Sequence, residues 1–264
     1  MVRPVTQDTY SSLRRSFELL DAFRPTRPEF SIRELARVTG IPRSTTHRLV
    51  NELLVLGVLE HGASGVRLGV KLFELGAAAP SFSSLREAAI PYAHKLHQLT
   101  QLTVNIGVRE KNDVVYVEKI STEALTVPHS RLGGRQPLHA TALGKAMLAF
   151  DDSASLDGLS RMNLRALTPR TISDPSELRK ELDSIRQKRV AYDVEESRMG
   201  LFCVAAPVLI RHNRVIGAIS VTGATALSQA QQYSAAVCAT AFAIERALET
   251  STFKRPSPLR SASG

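Results

Sequence analysis

The hydrophobic positions of residues 13–56 fall into three segments with helical spacing, separated by breaks that contain proline or glycine. Ser11 or Ser12 is placed to cap the first predicted helix. Ser31 precedes the second helix, and Glu34 follows three residues later, which completes a capping box. The predicted inner faces of the second and third helices are Ile32, Leu35, Ala36 and Val38, and Leu49, Val50, Leu53, Leu54 and Leu56.

A turn and a small hairpin complete this first region. Gly40 supplies the backbone freedom for a turn between the second and third helices. Pro42 takes the first position of the third helix, where its missing N–H costs least. Gly57 ends that helix, and residues 58–68 have the pattern of two short strands around a Gly-Ala-Ser-Gly turn. Three helices followed by a hairpin predict a winged helix-turn-helix domain, which is mainly helical.

The start of the third helix carries side chains that can hydrogen-bond phosphates and base edges. Arginine can form bidentate contacts with guanine or phosphate, and hydroxyl residues lie at the positive end of the helix. In isolation the segment is equally compatible with capping hydroxyls and solvated arginines. With the hairpin beside it, the pattern predicts insertion into the major groove of DNA. The predicted DNA contacts are Arg43, Ser44, Thr45, Thr46, His47 and Arg48, with Arg67 on the hairpin.

Beyond residue 70 the pattern changes. A helical segment beginning near Val70 is interrupted at Pro80 and Ser81 and resumes near Ser84, as in a linker between domains. Alternating strands and helices follow, which is typical of an α+β domain. The predicted strands are 102–108, 114–120, 202–210 and 215–222, and the predicted helices are 140–150, 174–188 and 228–249.

The charge pattern favours a polyanionic partner. The net charge is +9, and residues 1–71 carry 11 Lys or Arg against 7 Asp or Glu. The Ser/Pro/Arg-rich segment 251–264 is predicted to be a disordered basic tail. Two cysteines, no signal-peptide pattern and no apolar run of about 18 residues predict a cytoplasmic protein that does not contact a membrane.

Six motifs, taken together and in this order, resemble those of the IclR family of bacterial transcriptional regulators. The first is Gly-Ile-Pro-Arg-Ser-Thr-Thr-His-Arg-Leu-Val at 40–50. The resemblance runs from about residue 11 to about residue 250. The other five motifs are PLHATALGKA at 137–146, TISD at 171–174, YDVEE at 192–196, GLFCVAAP at 200–207 and GAISVTG at 217–223.

The resemblance implies an α+β architecture with four regions. A winged helix-turn-helix domain at 1–69 is joined by a linker helix at 70–84 to a GAF-like α/β effector-binding domain at 85–250, and the tail at 251–264 follows. It implies a sequence-specific DNA-binding regulator, a repressor or an activator, whose operator binding is modulated by a small organic acid. It also implies a homodimer or homotetramer, with no cofactor and no enzymatic activity.

The resemblance further assigns an effector pocket. The backbone amides of Ala142 and Leu143 correspond to the amides that hold a carboxylate, and Asp193 corresponds to an acidic pocket residue. Thr222 stands where the family often has serine, so its extra methyl group changes the shape of the pocket. The other implied pocket residues are Cys203, Ser220 and the apolar walls Leu125, Val127 and Leu201.

Simpler interpretations stand beside these assignments. Cys203 is compatible with a small hydrophobic core residue, Asp193 with a turn cap, and His139 with a cap or a satisfied interior group. Cys203 with His139 is a conceivable nucleophile and base, and His94 with His97 a partial metal site, but neither pair has an identifiable third member. We therefore predict no catalytic residues and no metal site.

Two other functions remain alternatives at this point. The chain is compatible with a ligand-independent DNA-binding protein whose second domain serves only oligomerisation. The less favoured alternative is a cysteine-dependent enzyme. Gly144-Lys145 resembles the end of a phosphate-binding loop, but Ala146 replaces the required Ser or Thr.

Overall fold

The computed structural model describes residues 12–78, 80–121, 131–151, 156–223 and 227–253. These residues form two compact units that divide after Pro80. The first unit is mainly helical, and the second is built on a six-stranded sheet with helices on both faces. The predicted α+β class is confirmed. No helix among the described residues is long and apolar enough to cross a bilayer.

The first unit has the predicted order of three helices and a wing, followed by one more short helix. Its wing is a three-stranded sheet in which the strand order is β1-β3-β2. The elements are α1 (Ser12–Leu20), β1 (Glu29–Phe30), α2 (Ile32–Thr39), α3 (Arg43–Val55), β2 (Leu59–His61), β3 (Val66–Leu68) and α4 (Lys71–Ala77).

The turn between α2 and α3 has the predicted geometry. The Ser31 hydroxyl accepts a hydrogen bond from the Glu34 N–H, and the Glu34 carboxylate accepts one from the Ser31 N–H, so the capping box is confirmed. Gly40 lies at φ +72°, in the left-handed region that favours glycine. Pro42 is the N-cap of α3 rather than its first helical residue.

The inner faces of α2 and α3 are shorter than predicted. Leu35, Leu49 and Leu53 are buried, whereas Val38 is 51% exposed and Leu56 is 64% exposed. Val38 lies at the C-terminal end of α2 and Leu56 at that of α3, beyond the last residue of each helix that is buried in the core. The core consists of Leu19, Phe23, Phe30, Leu35, Ile41, Leu49, Val50, Leu53, Leu59 and Val66.

The wing has a strand that the sequence pattern did not indicate, because β1 contains only two residues. Glu29 in β1 is adjacent to the wing turn, and its carboxylate accepts hydrogen bonds from the Ser64 N–H at 2.9 Å and the Ser64 hydroxyl at 2.7 Å. These bonds hold the pKa of Glu29 below its ordinary value. A carboxylate from outside the hairpin therefore fixes the conformation of the wing turn.

The second unit contains a sheet with helices on both faces. Its strand order is β6-β5-β4-β9-β8-β7, and every pair of neighbouring strands is antiparallel. The elements are α5 (Pro80–Thr100), β4 (Thr103–Glu110), β5 (Asp113–Ile120), β6 (Arg135–Pro137), a 3-10 turn (Leu138–Ala140), α6 (Ala142–Leu148), α7 (Leu156–Ser160), α8 (Pro175–Lys188), β7 (Ala191–Val194), β8 (Phe202–Ile210), β9 (Arg214–Gly223), α9 (Leu227–Gln232) and α10 (Ser234–Phe253).

The two faces of this sheet bury different partners. On one face, alternate residues such as Val104, Val204 and Val221 pack against α5 and α10. On the other face, Ala205 and Ala218 pack against α6 and α8. Because successive side chains of a strand point to opposite faces, the polar residues that share register with Ala205 and Ala218 must point toward α6.

Five features of this unit differ from the sequence-based prediction. The edge strands β6 and β7 and the five-residue helix α7 were not predicted, because each is too short to show a periodic pattern. α5 starts at Pro80 rather than near Ser84, since proline is well suited to the first turn of a helix. The long closing helix is interrupted at Tyr233, between α9 and α10.

Gly144 allows the 3-10 turn to lie directly on α6. A Cβ atom at this position would lie 2.5 Å from the Cα atom of Leu138, and the backbone cannot yield as a flexible side chain can. The close approach fixes where α6 begins, and thus where its first amides lie relative to the sheet.

We expect Gly144→Ala to lower the free energy of unfolding by about 1–3 kcal/mol, because the added methyl group overpacks a backbone contact. Gly76→Ala in α4 is the matched control: its Cβ meets no atom within 4 Å, so the better helix propensity of alanine should leave stability equal or higher. Urea unfolding followed by circular dichroism measures both. Equal stability of Gly144→Ala and the wild type would contradict this account.

Candidate DNA-binding and effector sites

α3 presents a polar face at its N-terminal end. Arg43, Ser44, His47 and Arg48 are exposed, and Thr45 is partly exposed. Ser44, His47 and Arg48 lie on the side of α3 opposite to buried Leu49, Val50 and Leu53, and Arg43 and Thr45 border the buried side. The predicted contacts are therefore available to DNA at all but one position.

The exception is Thr46, whose predicted DNA contact is wrong. Its side chain is fully buried, and its hydroxyl lies 3.2 Å from the carbonyl oxygens of Ile41 and Pro42. Thr46 points into the core and ties the first turn of α3 to the preceding loop. A hydroxyl in a helix often bonds to a carbonyl of the preceding turn, which the sequence pattern did not distinguish from a surface position.

The N-terminus of α3 carries no side-chain cap. Its N-cap residue is Pro42, which has no hydrogen-bonding side chain, so the amides of Ser44 and Thr45 have no acceptor among the described residues. Uncapped amides at the positive end of a 13-residue helix are suited to bind a phosphate oxygen.

Two of the predicted DNA contacts have carboxylate partners in the unbound protein. Arg48 lies 2.6 Å from Glu52, and Arg67 lies 2.7 Å from Glu60 and 3.9 Å from Glu29. These are solvent-exposed ion pairs, which contribute little to stability. Each arginine can exchange its carboxylate for a phosphate at small cost.

The sheet unit contains two rows of cross-strand neighbours that face α6. One row joins Asp193, Cys203, Thr222 and Thr103, and the second joins Ala205, Ser220, Asn105 and Lys119. The five hydroxyl, amide and carboxyl residues among them are at most 3% exposed; these are Asp193, Thr222, Thr103, Ser220 and Asn105. Ser220 and Thr222 thus face the same side of β9, as predicted.

A chain of hydrogen bonds links the middle of these rows. The Cys203 thiol lies 3.1 Å from the Thr222 hydroxyl, which accepts a hydrogen bond from the Asn105 amide at 3.2 Å. Burial raises the pKa of the Cys203 thiol, so the sulfur is protonated at neutral pH. Tyr116, which is buried among the residues packed against α6, has its pKa raised chiefly by burial.

Asp193 already has a full set of hydrogen-bond donors. Its carboxylate accepts hydrogen bonds from the N–H groups of Glu196 and Ser197 at 2.8 and 3.2 Å, and from the Ser197 hydroxyl at 2.5 Å. Burial raises its pKa, and these hydrogen bonds oppose the increase. Asp193 therefore caps the turn that follows β7, as the simpler interpretation holds; direct contact with an effector stays a prediction.

The start of α6 has the form implied by the resemblance. Thr141 is its N-cap and accepts a hydrogen bond from the Gly144 N–H at 3.0 Å. The amides of Ala142 and Leu143 have no hydrogen-bond acceptor among the described residues. Both amides follow closely after the 3-10 turn, whose residue Leu138 packs against Gly144.

A buried ion pair lies behind this site. Lys145 of α6 is 1% exposed, and its ammonium lies 2.5 Å from Glu196 and 3.4 Å from Glu181. The second carboxylate oxygen of Glu196 has no partner among the described residues. Burial outweighs the attraction of Lys145 and raises the pKa of Glu196 to about 7. Lys145 therefore joins α6 to the same turn that Asp193 caps.

The remaining sequence-based hypotheses concern chemistry and apolar walls. His139 bonds to the backbone carbonyl of Arg165 at 3.0 Å, and the protonated Cys203 thiol bonds to Thr222, so the two do not form a nucleophile–base pair. No group of three or more His, Cys, Asp or Glu side chains in the described ranges is arranged to hold a metal ion. Leu201 is partly buried beside β8, and Leu125 and Val127 lie outside the described residues.

Three residues of this site were not singled out from the sequence: Thr103, Asn105 and Lys119. The Thr103 hydroxyl and the Asn105 carbonyl oxygen are buried without a hydrogen-bond partner among the described residues. Lys119 is partly buried, which lowers the pKa of its ammonium, and the described residues include no carboxylate paired with it. One sequence feature could have indicated Thr103 and Asn105: these polar residues alternate with Val104 and Ile106 in an otherwise apolar strand.

The family models cover both units. The model described as the bacterial transcriptional regulator IclR C-terminal domain matches residues 78–246, and that of the IclR helix-turn-helix domain matches residues 12–62. The chain belongs to the IclR family of transcriptional regulators.

Individual IclR-family relatives agree with this. The chain is 32% identical over 217 residues to the HTH-type transcriptional regulator XynR of Escherichia coli K12, covering 81% of this chain and 86% of that protein. It is 35% identical over 218 residues to the regulator KdgR of Dickeya chrysanthemi, covering 81% and 71%. A solved IclR homologue from Microbacterium hydrocarbonoxydans, complexed with 4-hydroxybenzoate, superposes with a TM-score of 0.81 at 27% identity, covering 91% of this chain and all of that one.

Membership of the IclR family confirms the predicted class of function. The chain is a DNA-binding transcriptional regulator with a helix-turn-helix domain and a C-terminal effector domain. Its relatives are named as regulators, so the enzyme alternative is discarded.

We expect Glu196 to make stability pH-dependent. Its pKa is raised from 4.5 to about 7 in the folded protein, so the folded state holds a proton that the unfolded chain releases between these values. Stability should therefore fall as the pH rises through this window. Relative to Glu196→Gln, the wild type should lose about 2 kcal/mol between pH 5 and pH 8.

Urea unfolding of both proteins at pH 5 and pH 8 measures this difference. All other titrating groups are common to the two proteins and largely cancel in the comparison. Parallel pH profiles for wild type and Glu196→Gln would rule out a raised pKa at this residue.

Proposed function

We propose that this regulator reads operator DNA with the polar face of α3 and binds a small organic acid on the polar face of its sheet. The uncapped N-terminus of α3, flanked by exposed Arg43, Ser44, His47 and Arg48, is the observation that carries the DNA-binding mode. α3 lies in the major groove, and the wing with Arg67 contacts the adjacent backbone.

The regulator acts as a homodimer or homotetramer. Two copies related by a two-fold axis read a near-palindromic operator, with half-sites spaced by about 34–36 Å or a multiple of that distance. Since its target is chromosomal DNA, its place of action is the bacterial cytoplasm.

The effector-binding proposal rests on the polar rows beneath α6. A sheet face that buries Asn105, Ser220, Thr222 and Thr103 is unusual for a hydrophobic core, and polar side chains suit a ligand that replaces water as their partner. Two features favour an anion: the ammonium of Lys119, with which no carboxylate of the described residues pairs, and the amides of Ala142 and Leu143, for which the described residues offer no acceptor. The 4-hydroxybenzoate bound to the Microbacterium homologue is an acid of this kind.

Other predicted pocket residues have less direct roles in this proposal. Cys203 contacts the effector through its thiol or through the Thr222 hydroxyl, and Leu201 contributes an apolar wall. Asp193 holds the turn that carries Glu196. Effector binding changes operator affinity, and operator binding changes effector affinity by the same factor.

We expect Arg43→Ala to weaken operator binding by about 1–3 kcal/mol, because Arg43 is exposed at the start of α3 and makes a base or phosphate contact. Arg48→Ala should cost less, since Arg48 must first give up its pair with Glu52. Fluorescence anisotropy with a duplex selected from a random library by the wild-type protein measures both, at several salt concentrations.

Arg161→Ala is the control, since Arg161 is exposed and belongs to the second unit, which does not contain the helix-turn-helix. It should match the wild type in affinity and salt dependence. The helix assignment fails if Arg43→Ala and Arg48→Ala also match the wild type.

We expect Ser220→Ala to reduce effector affinity about three- to tenfold, the usual contribution of one neutral hydrogen bond, and to leave operator affinity unchanged in the absence of effector. Calorimetric titration with a panel of small carboxylates that includes 4-hydroxybenzoate measures the change. Ser173→Ala, at an exposed position, should bind like the wild type. Wild-type affinity in Ser220→Ala would remove Ser220 from the site.

A further inference from the structure

Two buried polar atoms of β4 lack a hydrogen-bond partner among the described residues: the Thr103 hydroxyl oxygen and the Asn105 carbonyl oxygen. Thr103 is 2% exposed and Asn105 is 1% exposed. They are two residues apart in the same strand, so both side chains point to the face of the sheet that α6 covers. Native proteins pair nearly all such atoms, and each exception calls for an explanation.

The contacts of Asn105 determine which of its atoms is available. Its amide N–H₂ donates to the Thr222 hydroxyl at 3.2 Å, which leaves the carbonyl oxygen free. A carbonyl oxygen accepts hydrogen bonds and cannot donate them. The Thr103 hydroxyl, opposite Thr222 on the neighbouring strand, can accept or donate. The Asn105 oxygen thus selects a group that carries a hydrogen-bond donor, and the Thr103 hydroxyl can pair with the same group.

Lys119 lies directly opposite Asn105 on β5. It has a partly buried ammonium with no carboxylate partner among the described residues. A cation and an unpaired acceptor therefore lie on adjacent strands, about 5 Å apart at the backbone. A compact molecule that carries both a carboxylate and a hydroxyl group satisfies the two together.

We propose that Asn105 and Thr103 are the specificity-determining residues of the effector site, and that they bind a hydroxyl group of a hydroxylated carboxylic acid. The proposal rests on the effector-binding function proposed above and adds the chemical class of the effector. An acid without the hydroxyl offers no donor to the buried Asn105 oxygen, and sites of this type reject such analogues strongly.

The test compares three pairs of acids that differ only by a hydroxyl group: glycolate with acetate, lactate with propionate, and 4-hydroxybenzoate with benzoate. Calorimetric titration gives the dissociation constants. The wild type should bind the hydroxylated acid of at least one pair more than tenfold more tightly than its parent. Thr103→Val and Asn105→Leu should bring that ratio close to one.

Thr103→Val also separates a specificity role from a structural one. Because no described residue pairs with the Thr103 hydroxyl, replacing it with a methyl group should leave the melting temperature unchanged or raise it. Thr100→Val is the matched control: the Thr100 hydroxyl donates to the Leu96 carbonyl at 2.8 Å. Its loss should lower the melting temperature and leave the preference for hydroxylated acids intact.

Three results would overturn the proposal. If each parent acid binds the wild type as tightly as its hydroxylated form, and Ser220→Ala weakens that binding, the effector site stands but hydroxyl recognition does not. If the preference survives in both Thr103→Val and Asn105→Leu, other residues provide it. If none of the six acids binds, this effector class is wrong, while operator binding by the same preparations shows whether the DNA-binding function holds.

Discussion

The sheet unit depends on the pairing of polar groups that its fold removes from water. Burying an unpaired amide, hydroxyl or charge costs more than a typical hydrogen bond returns, so a fold pairs most of the polar groups that it buries. On the α6 face, Asn105 and Cys203 pair with Thr222, Asp193 pairs with its own turn, and Lys145 pairs with Glu196. This requirement fixes the positions of α6 and the turn after β7 relative to the sheet.

The same reasoning explains why the helix-turn-helix unit leaves some groups free. Several of its polar groups are paired within the unit: Ser31 with Glu34, Thr46 with the loop before α3, and Ser64 with Glu29. The first amides of α3 have no side-chain acceptor among the described residues, since Pro42 offers them none. Water can satisfy these amides until a phosphate replaces it. A well-supported helix with free amides at its start is suited to phosphate recognition.

Sequence reasoning succeeded where local rules decide the structure. Caps, periodic apolar positions and long central strands gave α2, α3, β8 and β9 with nearly correct bounds. It failed where tertiary contacts decide. The edge strands β6 and β7 exist because neighbouring strands pair with them, and Thr46 is buried because the loop before α3 folds back over it. The sequence around Asp193 contains no local feature that distinguishes a residue that caps a turn from one that contacts a ligand.

An unpaired buried group has opposite effects on stability and on recognition. The Thr103 and Asn105 oxygens destabilise the ligand-free domain, because no hydrogen bond from the described residues offsets the desolvation of these atoms. A ligand that pairs them recovers that free energy only when it binds, so its affinity depends on the groups that the fold leaves unsatisfied. A ligand can shift a regulator between states only by the difference in its affinity for them. Polar atoms that the protein cannot pair by itself are therefore well placed to provide that difference.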